Sequence, residues 1–209
     1  MTPERSPESR VPMALVHAVF FLSGFASLLY QIVWQRALFR LYGTNVESVT
    51  LVVTAFMLGL GLGSLVGGAL SAREGAPRLR IFAAMEMGVG AYGLFSLPLF
   101  GAIGRWAGDV AGLEVGLAAL AGVLVPTLLM GATLPLLVAH AVHRSGNVGR
   151  SVGGLYFTNT LGAAAGSLAA GGWALGALGE TGAVRLAAAA NAAVGLAAWV
   201  CAGRGRKAR

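Results

Sequence analysis

A glycine block that occurs twice, 103 residues apart, constrains this chain more than any other feature. Gly59-x-x-x-Gly63-Ser64-Leu65 continues through Val66 to Gly67 and Gly68, and Gly162-x-x-x-Gly166-Ser167-Leu168 continues through Ala169 and Ala170 to Gly171 and Gly172. Small residues four apart make a smooth ridge on one face of a helix, and a second helix can approach such a ridge until the backbones touch. This matters most in lipid, where moving apolar side chains from oil to oil gains little. Gly59, Gly63 and Gly67 are therefore expected to form one helix-packing face, and Gly162 and Gly166 another.

The sequence around these blocks is too apolar for water. Hydrophobic residues make up 56% of the chain and charged residues 11%, with a mean hydropathy of +0.75, whereas a soluble domain carries about a quarter charged residues. The expected solvent is the lipid bilayer. Six windows approach or exceed the roughly 20 residues a bilayer-spanning helix needs: 11–34, 49–70, 81–104, 115–139, 151–179 and 186–203. All lack Asp, Glu, Lys and Arg except 81–104, which contains Glu86. The last is short and alanine-rich, with Trp199 placed to sit at an interface. Residues 1–10 read as a retained polar tail, because the apolar run that follows is too long for a signal core. Residues 11–203 read as one membrane domain and 204–209 as a basic tail.

Positive charge orients the helices. With both termini and the second and fourth connections on one side, that side holds Arg5, Arg10, Arg73, Arg78, Arg80, Arg144, Arg150, Arg204, Arg206, Lys207 and Arg209, eleven of fifteen basic residues. Both termini are expected to be cytoplasmic. The cations are scattered over helix ends, so the high isoelectric point argues for topology and not for nucleic acid. In this topology the two glycine blocks lie on helices of opposite direction. The expected fold is all-α, an integral membrane protein of six transmembrane helices arranged as two inverted three-helix repeats, about 11–104 and 115–203. Such units build each six-helix half of major facilitator transporters. Independent glycine enrichment in two membrane helices is the alternative.

The connection Gly68-Ala-Leu-Ser-Ala-Arg73-Glu-Gly75-Ala-Pro-Arg78 resembles the turn between the second and third helices of major facilitator proteins, with Ala72 where the aspartate stands. A closer resemblance is carried by Gly24-Phe-Ala-Ser-Leu-Leu-Tyr30-Gln31-Ile-Val-Trp34-Gln-Arg36, Leu41-Tyr-Gly43 and Ala55-Phe-Met-Leu-Gly59-Leu-Gly61. Pro126-Thr127-Leu-Leu-Met130-Gly131-Ala132-Thr133-Leu134-Pro135 and Gly154-Leu-Tyr156-Phe-Thr-Asn159-Thr160-Leu-Gly162-Ala163 extend it, as does Glu86. Together these resemble the membrane region of spermidine synthase-like proteins, in which such a bundle is fused to an aminopropyltransferase-like domain. Gln31 departs from the family, which has glutamate at that position. No strand, glycine-rich turn and acidic ribose ligand follow one another here, and Gly59-x-Gly61-x-Gly63 lies inside an apolar helix. The resemblance therefore implies a non-catalytic membrane part, with polyamines as the substrate class and no cofactor.

Candidate site residues follow from polarity inside apolar windows. Glu86 either faces a cavity or a cationic substrate, or pairs with Arg78 or Arg80 near the headgroups. Tyr30 and Trp34 share a helix face and suit either ring contacts to a cation or interfacial anchoring, with Gln31 on the adjacent face. Pro126 and Pro135 predict a kinked or partly unwound fourth helix, with Thr127 and Thr133 satisfying freed carbonyls. Asn159, Thr160 and Asn191 are polar groups able to bond across helices or touch a ligand. His140 and His143, with the single Cys201 far along the chain, do not make a metal set. The expected function is a small transporter or binding protein for polyamines or related organic cations, acting as a homodimer in a bacterial inner membrane. The alternative is a membrane scaffold that recruits a separate aminopropyltransferase-like enzyme.

Overall fold

Inside an apolar solvent every backbone amide needs a partner within the chain, and helices supply it locally. The computed structural model describes residues 11–42, 45–107 and 112–204. Among them the chain is helical apart from short turns, and no strand is present. The helices are α1 Met13–Tyr42, α2 Asn45–Ser71, α3 Arg78–Ala107, α4 Gly112–Ser145, α5 Val148–Ala169 and α6 Leu175–Arg204, with a π-helical turn at Ala170–Ala174. They overrun the apolar windows because charged flanks such as Arg36 and Arg40 continue the helix. The features expected at residues 1–10, at Gly43 and at 205–209 lie outside the described residues.

Five stretches are long and apolar enough to cross a membrane: Met13–Arg40, Val49–Ser71, Arg78–Trp106, Glu114–Ser145 and Val148–Gly203. Their outward faces agree with that. Leu65 is 71% exposed and Leu168 76%, a degree of apolar exposure that water penalises and lipid does not. The architecture is consistent with a membrane protein.

The fifth stretch is 56 residues long. Gly179 interrupts it with φ 65° and ψ −177°, a conformation outside the helical region that L side chains rarely adopt. The chain reverses there. Glu180 bonds Arg40 at the far end of α1, whereas Cys201 lies with Val11 and Leu15 at its beginning. α6 beyond Gly179 thus runs back along α1.

The glycine blocks do what their spacing predicts. A side chain at Gly63 would strike the Leu128 carbonyl on α4, and one at Gly166 would strike the Phe25 carbonyl on α1. Both contacts map onto each other at the same spacing of 103 residues that relates the two blocks. Gly59 and Gly67 extend the first contact along Thr127 and Ala132, and Gly162 extends the second to Phe21. In each pair the helices run parallel. A third contact relates α3 to α6 in antiparallel fashion: Gly90 faces Ala188 and Gly195 faces Ala83. These positions correspond at a spacing of 105. Between the second and third helices the turn glycines Gly75 (φ 69°) and Gly179 (φ 65°) correspond at 104, so the spacing drifts where the turn adds residues.

The partial unwinding expected of the fourth helix is not seen. α4 runs continuously from Gly112 to Ser145 through Pro126 and Pro135. At Pro126 the freed carbonyl is satisfied without unwinding: the Tyr92 hydroxyl donates to Gly122 O, the group that Pro126 leaves without a partner. Thr127 Oγ1 lies 3.0 Å from Val123 O, and Thr133 Oγ1 donates to Met130 O at 2.7 Å. The irregular turn lies instead at Ala170–Ala174, where Ala170 and Ala174 are buried.

Gly63→Leu and Gly166→Leu are expected to destabilise the bundle by at least the roughly 1–3 kcal/mol of overpacking. Gly61→Leu and Gly172→Leu, where an added side chain meets open space, are expected to be nearly silent. Unfolding in detergent micelles distinguishes the two pairs; equal losses at all four positions would contradict the packing described.

Candidate functional site

Glu86 is carried on α3 at the level of Asn191, eleven residues beyond Glu180 on α6. At 1.5 Å per residue that places it about 16 Å from the Glu180 end, roughly half the thickness of a hydrocarbon layer of about 30 Å. It is 1% exposed. Ser23 Oγ on α1 donates to its Oε1 at 2.6 Å, and Asn191 Nδ2 donates to its Oε2 at 2.6 Å. The group lies between two apolar clusters. Toward the Val11 end are Phe20, Phe82, Leu136 and Val194; toward the Arg40 end are Leu29, Val89, Met130 and Ala187. Thr133 on α4 is buried between the same clusters.

The expected pairing of Glu86 with Arg78 or Arg80 does not form. Arg78 Nε donates to Ser71 O at 3.0 Å, and the Arg80 guanidinium lies 5.8 Å from the Trp199 ring centroid. Helix geometry explains this, since six residues beyond Arg80 a side chain is about 9 Å deeper and on another face. Among the described residues Glu86 has no cationic partner. It is held by neutral donors alone.

Glu86 and Asn191 also occupy corresponding positions. Ala83-Ala84-Met85-Glu86 leads to Val89-Gly90, and Ala188-Ala189-Ala190-Asn191 leads to Val194-Gly195. At the 105-residue spacing that relates α3 to α6, each is the counterpart of the other. Their hydrogen bond therefore crosses the centre of the α3–α6 contact.

Tyr30 and Trp34 are both fully buried, which rules out interfacial anchoring. The rings stack at 5.0 Å and 23°. Trp34 meets Tyr92 and Phe100 edge-on, each at 6.2 Å, and its Nε1 donates to Ser96 Oγ at 2.9 Å. These rings fill each other's faces and leave no open aromatic cage. The Tyr30 hydroxyl, against Gly93, has no hydrogen-bond partner, and neither does Asn191 Oδ1.

No family model matches the chain, and no curated protein or solved structure compared with it matches either. The site therefore rests on its own geometry. That geometry brings Glu86 together with Ser23 and Asn191. It places Tyr30 and Trp34 in the apolar cluster on the Arg40 side. Gln31 and Asn159 are half-buried and Thr160 is exposed; no hydrogen bond joins them to Glu86, and Asn159 packs at Gly24. His140 is buried, whereas His143 on the same helix is exposed. A groove of about 430 Å³ between α3 and α6 is lined by Met87, Gly90, Leu94, Arg185, Ala188 and Ala192. It passes over the chain neighbours of Glu86 and Asn191 without reaching either side chain.

Neither Ser23 nor Ser96 is marked in the sequence by charge or spacing. Aligning 83–90 with 188–195 was the signal that would have paired Glu86 with Asn191. Asn191→Leu is expected to cost about 1–3 kcal/mol, because it strands a buried carboxylate oxygen. The double variant Glu86→Leu/Asn191→Leu is expected to cost less than the sum of the single changes. Additive losses in a micelle-unfolding cycle would show that the two groups are not coupled.

Proposed function

We propose that this chain is a membrane carrier or binding unit of six transmembrane helices, built as two inverted three-helix repeats, for a small organic cation. The observation that carries the proposal is the Glu86 carboxylate, central in an apolar bundle and held by two neutral donors with no cation beside it among the described residues. Acidic groups at such depth are expensive and mark ion, proton or substrate sites. The six-pass reading is supported by the reversal at Gly179, and the repeat by the glycine contacts that correspond at 103 residues. The resemblance to the membrane region of spermidine synthase-like proteins supplies polyamines as the substrate class and half of a facilitator as the fold analogy. On the same reading the unit is non-catalytic and needs no cofactor. It works as a homodimer in a bacterial inner membrane with both termini cytoplasmic, because six helices enclose little of a transport pathway.

A second reading is favoured by the closure of the packing over Glu86: a scaffold whose basic face holds a separate aminopropyltransferase-like enzyme. In that case the Glu86 group is structural.

Uptake of labelled spermidine into proteoliposomes separates them. The carrier reading expects saturable uptake that falls at least tenfold in Glu86→Gln, while Thr160→Ala retains more than half. Folded protein that shows no uptake under imposed proton or sodium gradients sinks it. Copurification of a synthase-like enzyme with the tagged chain from its host then supports the scaffold.

A further inference from the structure

We infer that the basic end of the bundle carries a binding site for a phosphate group, occupied by the headgroup of an anionic phospholipid. A cavity of about 260 Å³ opens there between α1 and the α4–α5 turn, lined by Met13, His17, Arg144, Ser145, Arg150 and Ser151. Its lining combines two guanidiniums and two hydroxyls, donors suited to phosphate oxygens, beside an imidazole. Neither Arg144 nor Arg150 has a carboxylate partner among the described residues. Around the same end stand Arg73, Arg78 and Arg80, with Glu74 as the described acid.

The backbone that carries these groups is fixed. Gly146 takes φ 66° to close the turn, the Arg150 amide donates to Asn147 Oδ1 at 2.9 Å, and Ser145 Oγ lies 2.9 Å from Ser151 Oγ. Arg144 and Arg150 therefore flank a two-residue turn held by these bonds, and both line the cavity. His17 is also positioned. The Thr158 hydroxyl donates to Gly154 O at 2.8 Å, so at its 2.8 Å contact with His17 Nδ1 it accepts, and the ring proton sits on Nδ1. Met13 supplies an apolar wall beside this polar set.

A lipid source fits the location. The cavity lies where α1 begins and where α4 gives way to α5, at the edge of the apolar stretches Met13–Arg40 and Glu114–Ser145. Phospholipid phosphates lie at that level, and arginine clusters between helices there bind acidic headgroups.

The test uses the full chain purified in a mild neutral detergent. Thermal unfolding is followed on adding phosphatidylglycerol, phosphatidylcholine, or inorganic phosphate with glycerol 3-phosphate. The expected result is a melting-temperature rise with phosphatidylglycerol and little with phosphatidylcholine. In Arg144→Gln/Arg150→Gln the apparent affinity for phosphatidylglycerol falls on the order of tenfold, whereas Arg73→Gln leaves it unchanged. A rise with the soluble phosphates that the double variant abolishes supports the phosphate site and overturns the lipid source. No preference for phosphatidylglycerol over phosphatidylcholine in the wild-type chain, or an equal rise in wild type and double variant, overturns the site. Should the double variant not fold, lipid retained by the wild type and by each single Gln variant in native mass spectrometry decides the question on the same criteria.

Discussion

Everything in this bundle depends on two places where a helix backbone rests on another without a side chain between them. At Gly63 against Leu128, and at Gly166 against Phe25, even one added carbon would overlap a carbonyl oxygen. In lipid there is no hydrophobic gain from bringing helices together, so close dispersion contact has to provide the attraction. These contacts bind α2 to α4 and α5 to α1. Each joins the first half of the chain to the second. Neither glycine ridge is buried against a helix of its own half of the chain.

The third relation, α3 against α6, has a different chemistry. Its centre is polar, and on the duplication proposed above it is where a residue would meet its own copy. An identical pair there would place two carboxylates or two amides face to face. Two carboxylates repel, and each would lack a donor. Glu86 with Asn191 avoids this, because the amide nitrogen donates and the carboxylate accepts. Ser23 supplies the second donor from α1, and Asn191 Oδ1 is left unpartnered. On that duplication, the Glu86–Asn191 difference removes the clash that an identical pair would make at this point.

Much of the architecture was legible because helix packing in lipid leaves local marks. Glycines four apart, windows of about 20 apolar residues and turn glycines all act over a few residues. The partners of Glu86 left no such mark. Ser23 and Asn191 lie 63 and 105 residues away in sequence, and serine beside glycine is common in packed helices. Trp34 was misplaced at the interface as an alternative because an aromatic residue two positions before Arg36 suits an anchor; in the fold it turns inward to Ser96. The prolines of α4 suggested unwinding because their freed carbonyls needed donors. The donor for Gly122 comes from Tyr92 on another helix, and a pattern confined to α4 does not contain it.

The arrangement also determines where movement can occur. The pairs α2 with α4 and α1 with α5 are joined backbone to backbone, and such contacts do not slide without a clash. The Arg40–Glu180 pair at one end is exposed, and ion pairs of that kind are weak, about 0–1 kcal/mol. A groove of about 430 Å³ lies along the α3–α6 contact, beside the close approach of Gly195 to Ala83. On the carrier reading proposed above, a route to Glu86 would open along this groove, with exchange of the Asn191 bond for a ligand's donor. On that reading a cation with several N–H groups would replace that bond and add charge the amide lacks. A scaffold has no use for an exchangeable bond at its centre, and for that reason the α3–α6 seam is where the two readings of this protein diverge physically.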